Sequence, residues 1–178
     1  AANQPNYKWE FNLVDDNQAN AFCLPGGKVV VYTGILKYAK NDDQLATVIS
    51  HEVAHALARH GAERVTQGMI QQGVGILGSV AVAATAPQYQ NAFNQAYGLG
   101  SNLGVMLPYG RMQESEADEI GIYLMHKAGY NVNEATKFWE NMSEGKSGGN
   151  DFFSTHPSSQ NRTKDIQTVI NKIGNEAK

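Results

Sequence analysis

Charged side chains are scarce in this sequence, and those present follow no pattern. Asp, Glu, Lys and Arg make up 17% of the 178 residues, and the formal net charge is −3. Globular proteins average about 25% charged residues. Lys and Arg are scattered, and no basic stripe with interleaved aromatic side chains is present. That pattern excludes the usual nucleic-acid-binding surface, so we expect no nucleic acid among the partners of this protein.

Cysteine is nearly absent, and no targeting segment is visible. Cys23 is the single cysteine, so the chain forms no internal disulfide. For Cys23 we favour a small buried apolar residue over a reactive thiol. The first six residues are polar and lack the basic and apolar regions of a signal peptide. Since a removed leader would leave the same sequence, neither feature assigns a compartment.

The chain does contain enough apolar material for one core. Hydrophobic residues make up 42%, and the length suits a single domain over residues 1–178. Residues 8–36 are typical of extended structure, because an apolar run at 29–32 follows the turn signal Pro25-Gly26-Gly27. Helical patterns follow, which makes the expected fold class α+β and mostly helical. We predict helices over 41–60, 112–127, 133–144 and 159–173.

The first predicted helix has a clear start and a clear stop. Asn41 suits an N-cap, and Gln44 three residues later completes a capping box. Gly61 suits the C-cap position, so the helix is expected to end at about His60.

Residues 69–86 are rich in Gly, Ala, Val and Ile, and their length approaches that of a membrane span. Two glutamines and several glycines weaken a transmembrane interpretation. We favour a buried or self-packed helical hairpin, and peripheral membrane contact through residues 69–86 stays open as the alternative.

The motif H-E-x-x-H occupies residues 51–55, inside the first predicted helix. Positions four apart lie about 40° apart around a helix, so His51 and His55 can reach one metal ion. Glu52 then lies beside the ion, where its carboxylate can hold the attacking water. The ordinary alternative is two histidines on an amphipathic helix. The helical context and the acidic motif downstream both argue against it.

The third ligand is not supplied by the best-known longer form of this motif. H-E-x-x-H-x-x-G-x-x-H requires a glycine at position 58 and a histidine at 61, where this chain has Ala58 and Gly61. His60 is one residue out of register. We therefore predict that His60 is an exposed residue at the helix end.

The 112–127 helix supplies a better candidate. At 100° per residue, Glu114 and Asp118 fall on the apolar face and Glu116 falls on the polar face. Buried acids are costly unless something compensates them, and a metal ion with its histidines would do so. Glu114 is thus the predicted third ligand, and Asp118 is predicted to orient a ligating imidazole. Glu116 remains the second choice as ligand, and a salt-bridged helix with no metal is the ordinary alternative.

Three protein ligands leave one coordination position open, which is typical of a catalytic zinc site. Hydrolysis at such a site also needs positive charge or hydrogen-bond donors near the developing oxyanion. His156 and Arg162, on either side of the last predicted helix start, are candidates for that role. Their spacing alone favours a loop histidine and a surface arginine.

Together these motifs resemble peptidase family M48, gluzincin metallopeptidases that include CAAX prenyl proteases, HtpX, BepA and the mitochondrial Oma proteases. The resemblance rests on H-E-x-x-H, on E-x-E-A-D at 114–118, and on T-H-P-x-x-x-x-R at 155–162. A stretch N-A-F-x-x-P-G-G at 20–27 adds to it, and the match covers almost the whole chain.

The resemblance implies a role for each matching residue. It makes His51, His55 and Glu114 the ligands of one Zn2+ per chain, with Glu52 as the catalytic base and Asp118 behind the ligands. It also implies that His156 and Arg162 lie near the metal, aiding the transition state or gating the site. The strand Val29, Val30 and Val31 would be the edge that pairs with an extended substrate.

The resemblance also implies the setting of the protein. The chain lacks the several transmembrane helices of the prenyl-protease and HtpX branches and the helical-repeat domain of the BepA branch. We therefore expect a minimal catalytic domain, soluble or peripherally attached, with a zincin-like fold and a small antiparallel sheet against the active-site helix. Because family substrates are often misfolded or membrane-associated proteins, a bacterial periplasm or cell-envelope location is expected.

The expected function is zinc-dependent cleavage of extended, unfolded or misfolded polypeptides, in protein quality control. One rival is a latent zinc-bound chaperone or assembly factor, in which His156 takes the fourth zinc position and silences the site. A second rival is a membrane-anchored interaction module that uses residues 69–86.

Overall fold

The computed structural model describes residues 6–145, 152–157 and 161–176. In these residues three strands come first and seven α-helices follow, so extended structure precedes helices as the sequence predicts. The strands are β1 (Glu10–Val14), β2 (Ala21–Leu24) and β3 (Lys28–Tyr32). The helices are α1 (Asp42–Leu57), α2 (His60–Thr85), α3 (Gln90–Ser101), α4 (Leu107–Lys127), α5 (Glu134–Glu144), α6 (Phe152–Thr155) and α7 (Arg162–Glu176). The α+β, mostly helical fold class is confirmed.

The three strands form a mixed sheet in the order β1-β3-β2. The predicted turn is present, since Gly26 and Gly27 both have positive φ and reverse the chain between β2 and β3. That pair is antiparallel, whereas β1 pairs with β3 in parallel, with Glu10 opposite Lys28. The expected antiparallel sheet is therefore wrong for one of its two pairs. A tight turn dictates only the pairing of the strands that it joins, and β1 is placed by long-range register.

The prediction of Val29, Val30 and Val31 as an edge strand is wrong. These residues belong to β3, the central strand, whose main chain is paired on both sides. Val29 and Val31 are buried in the core. A run of three β-branched apolar residues is typical of a strand covered by its neighbours, which is the physical reason for the central position.

Helix α1 begins as predicted and ends earlier than predicted. The Asn41 side chain accepts a hydrogen bond from the backbone N–H of Gln44 at 2.8 Å. The helix ends at Leu57, and Arg59 adopts a left-handed conformation with φ of 60°. The predicted extension to His60 with a Gly61 C-cap is therefore wrong, because a non-glycine residue makes the reversal and α2 starts at once.

Helix α1 lies at the centre of the molecule, between the sheet on one side and α4 and α5 on the other. Gly121 of α4 makes the closest approach, because a Cβ there would lie 3.3 Å from the backbone nitrogen of His51. The buried carboxylate of Glu134 accepts hydrogen bonds from Asn41 and Gln44, which ties α5 to the start of α1. The core contains buried large side chains from five elements: Val29, Val48, Met125, Phe138 and Ile166.

The other predicted helices are present with shifted bounds. Helix α4 begins at Leu107, five residues before its predicted start, while α5 starts within a residue of the prediction. Helix α7 runs over Arg162–Glu176, and residues 159 and 160 of its predicted start lie outside the described residues.

Residues 69–85 lie within the single helix α2, so the hairpin predicted for this segment is formed instead by α2 with α3, and it is not buried. Helix α2 contacts α1 at its start and packs on α3 further along, and most of its remaining surface is exposed. In the described part of the chain, α2 alone is long and apolar enough to cross a membrane, judged by length and composition.

Candidate metal centre

Four side chains with metal-binding atoms meet in the core. His51 and His55 come from α1, Glu114 comes from α4, and His156 follows α6. All four residues are buried, and one ligand atom from each lies within 4.8 Å of the others. The structure thus brings the three predicted ligands together and places His156 beside them as a fourth residue.

The distances between these atoms fit the tetrahedral coordination of one metal ion. His51 Nε2 lies 3.1 Å from both His55 Nε2 and Glu114 Oε2. His156 Nδ1 lies 3.1 Å from Glu114 Oε2 and 3.4 Å from His51 Nε2. Tetrahedral ligands at about 2.0–2.1 Å from zinc lie about 3.3 Å apart. Imidazole nitrogens with one carboxylate are also a ligand set that zinc prefers.

The carboxylate of Glu114 is held as an anion in the core. Burial alone would favour the neutral acid, but hydrogen bonds from His156, His51 and His55 hold the pKa of Glu114 well below its usual range. Arg64 of α2 donates to Glu114 Oε1 at 3.0 Å and to Gln113 at 2.7 Å. Sequence reasoning missed Arg64, which lies in a polar stretch that shows no motif.

His55 and His51 differ in protonation. Burial dominates at His55 and lowers its pKa to about 3, so the ring is neutral and able to coordinate a cation. Burial acts in the same direction at His51, but hydrogen bonds with Asp118 and Glu114 outweigh it and raise the pKa of His51 to about 9. A metal ion would replace the proton that His51 shares with Glu114.

Asp118 lies behind the His51 ring, the kind of position that the sequence predicts for it. Its Oδ1 lies 2.9 Å from His51 Nδ1, and Arg162 Nη2 donates to the same oxygen at 2.7 Å. Burial would raise the pKa of Asp118, but the adjacent Arg162 charge and the contacts with His51 lower it. A carboxylate on Nδ1 directs the Nε2 lone pair of the ring toward the cluster.

Arg162 lies closer to the Asp118 carboxylate than to Glu114 in the cluster. Its guanidinium carbon lies 3.3 Å from the centre of the Trp139 ring, and its Nη2 lies 3.8 Å from Glu114 Oε2. His156, in contrast, faces Glu114 and His51 directly. Arg162 therefore lies beside Asp118 and the outer side of the His51 ring, at the edge of the cluster.

His60 is buried, which makes its predicted exposure wrong. Its side chain is 1% exposed, and its Nδ1 lies 2.8 Å from His55 Nδ1. On the other side of the ring, Nε2 lies 3.1 Å from the exposed carboxylate of Glu116. The break at Arg59 turns His60 back toward His55, which a continuous helix would not allow. Glu116, the second choice as ligand, thus lies outside the cluster and holds His60 instead.

We expect His60→Ala to weaken zinc binding by about 10–100-fold, because it removes the group that orients His55. Competition with a chromogenic chelator measures this affinity. His126→Ala, which alters an exposed histidine on α4, is the matched control and should bind zinc normally. Unchanged affinity in His60→Ala would mean that His60 only fills space.

Glu52 lies beside the cluster and is fully buried. Its Oε1 makes no hydrogen bond within the described residues, although His156 Nε2 lies 3.4 Å away. Burial raises the pKa of Glu52, and the charges of His156 and His51, with a smaller effect of the hydrogen bond from the Cys23 backbone N–H, partly offset this rise. A buried carboxylate with a free oxygen beside a cation site is poised to accept a proton from water.

Cys23 shows no sign of a reactive thiol. Burial, assisted by the charge of Glu52, raises its pKa to about 11. A thiol with this pKa stays protonated at neutral pH, which agrees with the predicted lack of reactivity, although Cys23 is only partly buried and not buried as predicted. Its contribution to the site is the backbone N–H.

Comparisons with known proteins agree with this geometry. The model of Peptidase family M48 matches residues 1–170. The chain is 40% identical over 163 residues to the mitochondrial metalloendopeptidase OMA1 of Schizosaccharomyces pombe, covering 90% of this chain and 46% of that protein. It is 42% identical to the Arabidopsis thaliana OMA1, covering 88% of this chain and 30% of that protein. It is 30% identical to the beta-barrel assembly-enhancing protease of Escherichia coli K12, covering 97% and 36%. The chain spans less than half the length of each.

Proposed function

This chain belongs to peptidase family M48, and we propose that it is a zinc-dependent metalloendopeptidase that cleaves extended, unfolded or misfolded polypeptides in protein quality control. The proposal rests on the buried cluster of His51, His55 and Glu114. Beside this cluster lies Glu52, whose Oε1 has no hydrogen-bond partner within the described residues. The direct test is casein cleavage by the zinc-loaded protein, compared with a Glu52→Gln variant.

Each residue has a distinct part in the proposed hydrolysis. His51, His55 and Glu114 would hold one zinc ion, which supplies Lewis acidity that activates water near neutral pH and polarises the scissile carbonyl. Glu52 accepts the proton of the attacking water and delivers it to the leaving amine. Asp118 and Arg162 keep the His51 ring in its ligating orientation.

His156 is proposed to stabilise the transition state. Its ring faces both Glu114 and Glu52, at 3.1 Å and 3.4 Å, between the proposed ligand and the proposed base. From there an imidazole N–H can donate to the oxyanion that forms when water attacks a peptide carbonyl.

The substrate strand is proposed to pair with β2. This strand is an edge of the sheet, and the backbone N–H of Cys23 on it reaches Glu52. Tyr32 donates to the carbonyl of Asn20, so by the alternation of an antiparallel pair Ala21 and Cys23 direct their main-chain groups away from β3. An extended peptide added along this edge would pass the catalytic base, which favours unfolded polypeptide as the substrate.

We expect His156→Ala to lower kcat for casein by about 100-fold or more, with zinc content unchanged, because one oxyanion donor is lost. The measurement is steady-state cleavage at equal zinc loading, and Thr155→Ala, one residue before His156, is the control. A rise in cleavage would instead support the latent chaperone or assembly factor, in which His156 silences the site as a fourth ligand. The 3.4 Å approach of His156 Nδ1 to His51 Nε2 is the observation behind that alternative.

A periplasmic or cell-envelope location is part of the same proposal. Its support is the relative named beta-barrel assembly-enhancing protease, whereas the OMA1 relatives are named as mitochondrial. Fractionation of the source cells would test it, and recovery of the protein with the cytosolic fraction alone would reject it.

A further inference from the structure

The hairpin of α2 and α3 packs through one side only. A Cβ at Gly75 would lie 2.7 Å from the Tyr97 ring, and one at Gly78 would lie 2.5 Å from the Phe93 ring. These two glycines therefore let the aromatic rings of α3 lie directly on the α2 backbone. Tyr97 also donates to the Gln71 carbonyl at 2.7 Å, and such contacts account for the inner face of α2.

The opposite face of α2 is apolar and exposed. At about 100° per residue, Met69, Ile76 and Val80 lie within about 40° of one another and roughly opposite the two glycines. Their exposed fractions are 67%, 57% and 62%, and that of neighbouring Leu77 is 73%. An exposed apolar stripe of this length on a helix marks a surface that contacts something other than water.

The hairpin carries no ionisable acid or base along either arm. No Asp, Glu, Lys, Arg or His occurs between Arg64 and Arg111, the two residues at its base. Protein interfaces surround an apolar centre with a polar and often charged rim, whereas the interior of a bilayer accepts no charge at all.

We propose that the apolar face of α2 binds the hydrocarbon of a lipid bilayer. Residues 65–85 of α2 extend about 32 Å at 1.5 Å per residue, against a hydrocarbon core of about 30 Å. Because the hairpin lacks basic residues, its binding is hydrophobic and needs no anionic lipid.

The base of the α2–α3 hairpin lies next to the metal centre. Arg64 contacts Glu114 at 3.0 Å, and α3 continues toward α4 through residues 102–106. A bilayer on α2 therefore holds the cluster close to the membrane surface, where membrane-associated polypeptides would reach it. This last consequence rests on the proposed peptidase function, whereas the binding itself does not.

The test is flotation of the full chain with phosphatidylcholine vesicles, at about 0.05 M and about 0.5 M salt, a range over which surface charge effects are strongly screened. We expect the protein to float equally at both salt concentrations and without anionic lipid. Leu77→Gln/Val80→Gln should bind at least about 10-fold more weakly, because two apolar side chains no longer enter the hydrocarbon. Phe11→Gln/Leu13→Gln is the matched control, since these β1 side chains are 57% and 65% exposed, and it should float normally.

Two results would overturn the proposal. One is a wild-type protein that stays at the bottom of the gradient, and the other is equal flotation of both double variants. The competing occupant of this face is a second copy of the chain, and analytical ultracentrifugation without lipid tests for it. If the wild type does not float but self-associates, and Leu77→Gln/Val80→Gln does not self-associate, the face is assigned to a second copy. Casein cleavage by the same variant is measured in parallel, so failure of membrane binding is separable from failure of the peptidase.

Discussion

Glu52→Gln is expected to lower casein cleavage by about 100- to 10,000-fold, the range typical for loss of a general base. The amide has nearly the shape of the carboxylate but cannot accept the proton of the attacking water. Because Glu52 is buried beside the cluster with one oxygen free within the described residues, no neighbouring carboxylate in that part of the chain is placed to take over. Initial rates of fluorescent casein hydrolysis at fixed zinc loading measure the effect.

The control variant is Glu119→Gln, which changes an exposed acid on α4 and should cleave at the wild-type rate. Zinc content must be equal in all three proteins, since the amide at position 52 leaves the proposed ligands intact. Cleavage by Glu52→Gln at the wild-type rate would remove Glu52 as the base. If no protein cleaves although each binds zinc stoichiometrically, the site is latent and the assembly-factor alternative gains.

Glu114→Ala is expected to abolish stoichiometric zinc binding. Loss of a partner behind a ligand typically costs 10- to 100-fold in metal affinity, so loss of the only anionic ligand should cost more than about 100-fold. Of the proposed ligands only His51 and His55 would remain, with the Arg64 guanidinium beside them and its Glu114 contact removed. Zinc content after dialysis, together with chelator competition, measures the loss.

Glu116→Ala is the matched comparison, two residues away on the same helix. Its carboxylate is 59% exposed and contacts His60 without joining the cluster, so we expect the variant to retain zinc with at most the modest weakening expected for His60→Ala. If Glu116→Ala loses its metal while Glu114→Ala keeps it, the assignment of the buried face of α4 is wrong. Equal loss of zinc in both variants would mean that the substitutions disturb folding. Circular dichroism of the metal-free proteins would reveal such a disturbance.

Part of the candidate site could be predicted because it lies on regular helices. His51, Glu52 and His55 have a spacing that only a helix turns into one face, and the same projection separates Glu114 and Asp118 from Glu116. The observed burial of Glu114 and Asp118 agrees with that projection. Their roles in binding and catalysis stay predictions that the variants above test.

Other parts depend on contacts between distant segments. His60 faces His55 only because Arg59 adopts a left-handed conformation that no sequence pattern marks. The valines of β3 became a central strand because β1 pairs on the outer side, a choice of long-range register. The predicted hairpin within residues 69–86 is instead one arm of a longer hairpin made by α2 and α3, and its exposed outer face follows from where the aromatic rings of α3 lie.

The sequence by itself determined the mostly helical class, the starts of α1 and α5, and which side chains could hold a metal, because caps, turns and helical periodicity are local properties. The tertiary structure alone decided that His156 lies 3.4 Å from Glu52, that Arg162 contacts Asp118, and that β2 and not β3 is an edge of the sheet. These are relations between elements far apart in the chain. The packing of the whole core selects them, and no short stretch of residues encodes that packing.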